Sequence, residues 1–144
     1  MNWIKRTVQD LTAKYQTNNP FELAEIKNIQ VIPWDLHPEI KGFYKYDKRN
    51  KFIFINNNLD KPSQRFVCAH EFGHSELHPR VNTPFLRGNT YFSVDKIEVE
   101  ANTFAVELLL LDQCLYEYKD TNLSINEIAE IYGVPKEVSH LKNF

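Results

Sequence analysis

The chain has 144 residues, 42% of them hydrophobic and 13% aromatic, which predicts one packed domain spanning 1–144 and excludes a disordered chain. The formal net charge of −2 at pH 7 gives no electrostatic reason to expect nucleic acid or a membrane as partner. Two cysteines cannot build a disulfide scaffold, and no apolar run is long enough for a signal peptide or a membrane span, so a cytoplasmic protein is expected.

The first part of the chain predicts two helices and a strand. Apolar residues recur with helical spacing over 2–17, which indicates an amphipathic helix. Asn19 and Pro20 are typical of an N-cap and a first helical residue, so a second helix is expected from there to about residue 27. Residues 30–34 then predict a short strand that is stopped by Pro33.

The middle of the chain predicts a hairpin and a helix. Two aromatic and β-branched runs within 42–56 flank the polar turn 47–50, which suits a small antiparallel sheet or hairpin. Asp60 then opens a helix over 62–78. Gly73 inside this helix costs about 1 kcal/mol relative to alanine, which indicates close packing there, with the hairpin as the candidate neighbour.

The predicted helix 62–78 carries the tract His-Glu-Phe-Gly-His at residues 70–74. Residues four apart project from the same face of a helix, so His70 and His74 can bind one Zn²⁺. Glu71, which lies between them, can reach a metal-bound water as a general base. This pattern predicts a zinc hydrolase, and a catalytic zinc site usually has a third protein ligand.

Several residues are candidates for the third ligand, and helical geometry weakens some of them. His78 lies about 12 Å from His70 along the helix axis, which is too far for one shared metal. Cys68 is about 200° around the helix from His70 and is expected to be a small buried hydrophobe. Cys114 follows the last long helix and is also expected to serve packing. Glu76 and the acids of the next helix remain.

The next predicted helix, 94–111 with Ser93 as its cap, supplies the sharper candidate. Glu98 falls on the apolar stripe of this helix, whereas Glu100 and Glu107 fall on the opposite, solvent-like face. A carboxylate among core positions needs a cation or a strong donor. Glu98 is therefore the expected ligand and Glu100 the fallback. Asn102, one turn beyond Glu98, is placed to support a ligand histidine.

The remaining segments complete the predicted architecture. Residues 80–92 are expected to form a loop, and 124–142 two short helical segments joined at Gly133. This tail resembles the first half of a DNA-binding helix-turn-helix, but its second helix carries little positive charge, so packing is favoured over DNA contact. Helices and strands are segregated along the chain, which predicts an α+β fold.

The two long helices resemble the ImmA/IrrE family of zinc metallopeptidases. The resemblance lies in segments 70–79 and 98–110, with flanking matches at 19–24, 65–66 and 132–135. It implies a compact gluzincin-like fold in which His70, His74 and an acid of the second helix hold zinc and Glu71 is catalytic. In the family's register the ligand carboxylate stands one turn before an asparagine, which maps onto Glu98. The family often has proline after the leucine run, where this chain has Leu111.

The resemblance also implies a biological role. Family members of this size cleave a partner helix-turn-helix repressor and so release phage or mobile-element genes. Two alternatives are a zinc-containing regulator that binds a transcription factor without cleaving it, and a DNA-binding module formed by the tail. His78 and Tyr91 are the candidate oxyanion donors.

Overall fold

A computed structural model describes residues 2–144, which form six α-helices, three strands and two 3₁₀ turns. No helix within this range combines the length and apolarity needed to cross a membrane. The helices are α1 Asn2–Tyr15, α2 Pro20–Ile26, α3 Lys61–Leu77, α4 Lys96–Leu109, α5 Asp112–Glu117 and α6 Ile125–Ile131. The strands are β1 Gln30–Trp34, β2 Gly42–Asp47 and β3 Asn50–Asn56, and the 3₁₀ turns are Gly88–Phe92 and Ser139–Leu141.

The three strands form one mixed sheet in the order β1-β3-β2. β2 and β3 are the expected antiparallel hairpin, and they turn at Lys48 and Arg49, whose φ angles are 49° and 69°. Two consecutive positive φ angles are typical of a tight two-residue hairpin turn. β1 pairs with β3 in parallel, and Pro33 lies inside β1 rather than ending it. An edge strand tolerates proline because half of its N–H groups face away from the sheet.

α3 is the central element of the molecule. It packs against α4, α2, β2 and β3, while α1 packs against α4. Residues 66–75 of α3 are buried without interruption, because the helix has these four neighbours. The helices thus cover one face of a small sheet, and the α+β class predicted from the sequence is confirmed.

α4 is also surrounded, and the predicted solvent-like face on this helix is wrong. Residues 100–109 are all buried, including Glu100 and Glu107. The face that carries Glu107 packs against the carboxyl-terminal segment, where Lys142 Nζ donates a hydrogen bond to Glu107 Oε1 over 2.7 Å. The face of α4 that was predicted to contact water therefore carries a buried ion pair between Glu107 and Lys142.

α4 is shorter than predicted at both ends. It begins at Lys96 because Asp95, rather than Ser93, caps it, and the Asp95 carboxylate accepts a hydrogen bond from the Ile97 N–H over 3.3 Å. Val94 is consequently 95% exposed rather than part of the buried stripe. The helix ends at Leu109, and the short α5 that follows was not predicted.

The predicted second helix of the tail is absent from the described residues. α6 forms as expected, with Ser124 as its cap, and the helical conformation does not continue through Gly133, whose φ is 77°. Beyond Gly133 the structure has only the 3₁₀ turn Ser139–Leu141. The contact of Lys142 with Glu107 of α4 instead holds this segment against the core. The helix-turn-helix interpretation of the tail is therefore wrong in its second half.

Candidate metal centre

α3 and α4 bring three predicted site residues to one point. The Nε2 atoms of His70 and His74 lie 3.1 and 3.0 Å from the same atom, Glu98 Oε1. All three side chains are buried, Glu98 with 4% exposure. The two histidines project from one face of α3 because they are four residues apart, and Glu98 meets them from the first turn of α4.

A glycine allows the two helices to approach this closely. A Cβ atom built on Gly73 would lie 3.0–3.1 Å from atoms of the Phe104 side chain. The close neighbour that the glycine indicates is therefore α4, and the expectation that it is the hairpin is wrong. Because Phe104 sits against a residue without a side chain, the start of α4 reaches the histidine face of α3.

The hydrogen bonds of His70 indicate that its metal-facing nitrogen has no proton, which favours a bound cation. Asn102 donates its amide N–H to the backbone oxygen of Thr90 over 3.2 Å, so its Oδ1 atom faces His70 Nδ1 at 2.8 Å as an acceptor. Nδ1 of His70 must then carry the proton, and a neutral ring has only a lone pair at Nε2. That lone pair faces a carboxylate oxygen, and a metal ion between the two satisfies both.

The spacing of the donor atoms fits a zinc ion. Ligands about 2.0–2.1 Å from a tetrahedral zinc lie about 3.3 Å from one another. The two Nε2–Oε1 distances of 3.1 and 3.0 Å at Glu98 are within a few tenths of an ångström of that value. Two imidazoles and a carboxylate are also a common ligand set of catalytic zinc.

Glu71 adds a second acid to this buried site. Its side-chain oxygens, together with Glu98 Oε2, are buried without a hydrogen-bond partner among residues 2–144. Possible ligand atoms of His70, Glu71 and His74 all lie within 4.8 Å of one another. Burial, and then the charge of Glu98, raise the pKa of Glu71 well above its ordinary value. Two buried acids in one site are stabilised by a cation that offsets their desolvation and repulsion.

The protonation of the other groups favours metal binding. Burial lowers the pKa of His74 to about 4, so its ring is neutral near pH 7, as a metal ligand must be. The site therefore offers a neutral imidazole beside the carboxyl group of Glu98, which a divalent ion can bind in its charged form.

Glu100, the fallback ligand, faces a different partner. Its Oε1 atom lies 2.8 Å from His78 Nε2, and His78 Nδ1 lies 3.0 Å from His74 Nδ1. Each ring nitrogen of His78 thus has a neighbour within the described chain. This geometry does not support His78 as an oxyanion donor, since neither nitrogen is left to face a substrate. The sequence analysis missed the His78–Glu100 contact, although both residues were singled out there.

The remaining candidates lie outside the cluster of His70, His74 and Glu98. Cys68 is fully buried in the core, and burial raises the pKa of its thiol. Cys114 is half-buried, and it also has a free thiol in the part of the chain described here. Tyr91 packs its ring edge-on against Phe66 at 5.5 Å, and burial raises the pKa of its hydroxyl group.

A groove leads to the site along the loop that precedes α4. Its volume is about 810 Å³, and Glu98 is one of its lining residues. Phe85, Phe92 and Val94 also line it, and all three are exposed. The groove therefore offers exposed apolar surface on the side of the site where Glu98 lies.

The donor set and its position on two neighbouring helices are those of a metallopeptidase. Residues 24–142 match the Peptidase_M78 family, described as the IrrE N-terminal-like domain. Since this match covers most of the chain, the protein belongs to that family.

Two relatives match over nearly the whole chain. One is "Uncharacterized immunity region protein 2" of Bacillus phage phi105, 61% identical over 140 residues, which cover 97% of this chain and 89% of the relative. The other is "Metallopeptidase ImmA" of Bacillus subtilis (strain 168), 35% identical over 141 residues, which cover 96% of this chain and 83% of the relative. No solved structure matches the chain significantly.

Proposed function

We propose that this chain is a zinc endopeptidase that cleaves a partner helix-turn-helix repressor and so derepresses phage or mobile-element genes. The observation that carries the proposal is the convergence of His70, His74 and Glu98 within about 3 Å, beside the buried Glu71. The metallopeptidase relative supports the reaction, and the phage immunity-region relative supports a substrate that controls immunity. A gluzincin-like site, with two ligands from one helix and an acid from the next, is the form that these residues favour.

The residues divide the work between binding and proton transfer. His70, His74 and Glu98 would hold the zinc, which when bound lowers the pKa of a coordinated water and polarises the scissile carbonyl group. Glu71 takes a proton from the attacking water at a side-chain oxygen and delivers it to the nitrogen of the leaving amine. Its pKa, raised by burial and by Glu98, lets it hold that proton between the two steps. Tyr91 is the proposed hydrogen-bond donor to the developing oxyanion.

The substrate segment is expected in the groove beside α4 rather than on the edge of the hairpin. The outer edge of β2 is covered by the chain itself, since Leu86 N–H donates to Gly42 O over 2.8 Å and Tyr46 N–H donates to Asn82 Oδ1 over 2.9 Å. The groove instead presents Phe85 and Phe92 next to Glu98. An extended, partly apolar segment of a protein suits such a surface.

A cleavage assay tests the proposal. The zinc-loaded chain is incubated with its cognate helix-turn-helix repressor, and cleavage products are followed on a gel. We expect Glu71→Gln to retain one zinc per chain and to abolish cleavage, because glutamine cannot accept the proton. Glu130→Gln, at an exposed position of α6, is the matched control and should cleave normally.

Two outcomes would contradict the proposal. Equal cleavage by Glu71→Gln would rule out Glu71 as the general base. A wild-type chain that holds zinc and binds the repressor without cutting it would instead indicate a non-proteolytic regulator.

A further inference from the structure

We infer that Glu100 and His78 form a positioning pair that fixes the proton of His74 on Nδ1 and turns its Nε2 lone pair toward the metal. This inference rests on the proposed function, because it assigns the pair a role in holding zinc. Its basis is a continuous line of contacts, from Glu100 Oε1 to His78 Nε2 at 2.8 Å and from His78 Nδ1 to His74 Nδ1 at 3.0 Å. The line ends at His74 Nε2, 3.0 Å from Glu98 Oε1.

The chemistry of the groups sets the direction of each hydrogen bond. A carboxylate only accepts hydrogen bonds, so the proton between His78 and Glu100 belongs to His78 Nε2. A neutral His78 with its proton on Nε2 has an acceptor at Nδ1. The proton between the two rings therefore belongs to His74 Nδ1, and His74 Nε2 carries a lone pair.

The reverse direction is unfavourable. If His78 donated from Nδ1, either Glu100 would have to be protonated and donate to its Nε2, 2.8 Å away, or the His78 ring would carry protons on both nitrogens. His74 would then carry its proton on Nε2, where it would block a metal ion. Only the first direction leaves both the carboxylate and the metal-facing nitrogen in the states that zinc binding needs.

The pair is built into the interior rather than placed on the surface. The side chains of His78 and Glu100 are only 9% and 10% exposed. His78 is the cap residue directly after Leu77, the last residue of α3, and Glu100 lies in the second turn of α4, so the contact joins the same two helices as the metal centre. His70 has its own support from Asn102, and the two histidines are thus oriented by different partners.

The first test locates the proton directly. In zinc-loaded protein with ¹⁵N-labelled histidines, the proposal predicts a proton bonded to His74 Nδ1 and a ¹⁵N–¹⁵N coupling across the hydrogen bond to His78 Nδ1. A proton bonded to His78 Nδ1 would overturn the inference, and so would the absence of any coupling between the two nitrogens. A purely structural role of His78 predicts neither the site of the proton nor the coupling.

The second test measures zinc affinity by competition with a chelator. His78→Ala removes the acceptor for His74 and should raise the Kd for zinc by about 10- to 100-fold. His78→Asn returns an acceptor oxygen near the position of Nδ1 and should recover most of the loss. His140→Ala, at an exposed position, is the control and should bind zinc as the wild type does.

The outcomes separate this inference from the proposed function. Wild-type affinity in folded His78→Ala would overturn the inference while leaving the zinc site intact. Equal losses in His78→Ala and His78→Asn would also overturn it, since the acceptor would then be irrelevant. A wild-type chain that binds no zinc would overturn the proposed function, and the inference with it.

Discussion

Glu71 is the residue whose surroundings are least favourable in the absence of a cation. Both of its oxygens are buried without a hydrogen-bond partner among the described residues, and Glu98 repels its charge. A buried polar group left unpaired costs about 1–3 kcal/mol, and a charged one more. Glu71 therefore lowers the free energy of unfolding of the metal-free protein, and a bound metal ion offsets this loss.

The pKa of Glu71 makes this cost dependent on pH. Because its folded-state pKa is raised above the ordinary value of 4.5, the folded protein holds the proton more tightly than the unfolded chain. Stability is therefore lost as the pH rises above 4.5 and through the folded-state value. Glu71→Gln removes the ionisation and should stabilise the metal-free protein by about 1–3 kcal/mol at pH 8. Urea unfolding of metal-free wild type and variant between pH 4 and pH 8 measures the difference.

The same experiment carries its own control. The advantage of Glu71→Gln should disappear near pH 4, where the glutamate is protonated in both the folded and unfolded states. Glu130→Gln, on the surface, should show no such pH dependence. A Glu71→Gln protein that is less stable than wild type at pH 8 would show that the buried carboxylate does not destabilise the metal-free fold.

At the level of residues, the sequence predicts only those contacts of the site that follow from spacing within one helix. His70, Glu71 and His74 lie within one turn of one helix, so their proximity follows from the sequence alone. The apolar stripe of its helix predicts that Glu98 faces the core. In the structure its Oε1 atom lies beside both histidines. Its role as a metal ligand stays a prediction. The His78–Glu100 contact depends on how two helices cross, which no spacing within one helix reveals.

The packing of α3 on α4 is the element-level feature that assembles the site. Gly73 removes the side chain that would otherwise separate the helices, and Phe104 fills the space. The ligands from α3 and the acid from α4 lie on either side of this contact. Their separation therefore depends on a single close approach between the two helices.

Gly73→Ala tests this dependence. Alanine adds about 1 kcal/mol of helix propensity, but its Cβ would lie 3.0–3.1 Å from the buried Phe104 ring, and overpacking costs about 1–3 kcal/mol. We expect a net loss of up to about 2 kcal/mol in the free energy of unfolding, together with weaker zinc binding because α4 is displaced. Urea unfolding and chelator competition measure the two effects.

Gly88→Ala is the matched control, because nothing lies within 4 Å of a Cβ built there. It should leave both stability and zinc affinity near their wild-type values. If Gly73→Ala proved as stable as wild type with unchanged zinc affinity, the close approach would not be what sets the geometry of the site.

Local start signals explain why the bounds of two helices were predicted closely and why one short helix was missed. Side-chain caps at Asn19 and Asp60 mark the starts of α2 and α3, whose bounds agree with prediction to within one residue. α5 has no side-chain cap hydrogen bond at Leu111, so the sequence gives no capping signal for the start of this helix. The parallel pairing of β1 joins segments distant in sequence, and hydrophobic pattern does not specify such partners.

For the molecule as a whole, an ion network that runs from the interior to the exposed Asp112 holds the carboxyl-terminal segment against the core. Lys142 Nζ lies 2.7 Å from Glu107 Oε1 and 2.8 Å from Asp112 Oδ1, and Asp112 also lies 3.0 Å from Lys5 Nζ. Lys142 and Glu107 have side chains only 1% exposed. The network joins α1, α4 and the end of the described chain, and it replaces the second tail helix that the local pattern predicted.

Removing one partner of this buried pair should be costly. Lys142→Met leaves the buried Glu107 without a counter-ion, with only the hydrogen bond from the Asn143 N–H to its Oε2 atom, and breaking such a pair costs about 3–5 kcal/mol. We expect a loss of this size in urea unfolding. The double variant Lys142→Met with Glu107→Gln should recover part of it, because the unpaired charge is removed.

Lys136→Met, in the same tail but exposed, is the control and should change stability little. A Lys142→Met protein as stable as this control would show that the network contributes nothing to folding.

Diffraction from a crystal of the zinc-loaded protein at the zinc absorption edge would locate the metal ion itself. The account predicts one anomalous peak, about 2.0–2.2 Å from the Nε2 atoms of His70 and His74 and from a carboxylate oxygen of Glu98. Glu71 should lie beside the peak without binding it. A peak bound by Glu100 instead of Glu98, or no peak between α3 and α4, would contradict the account.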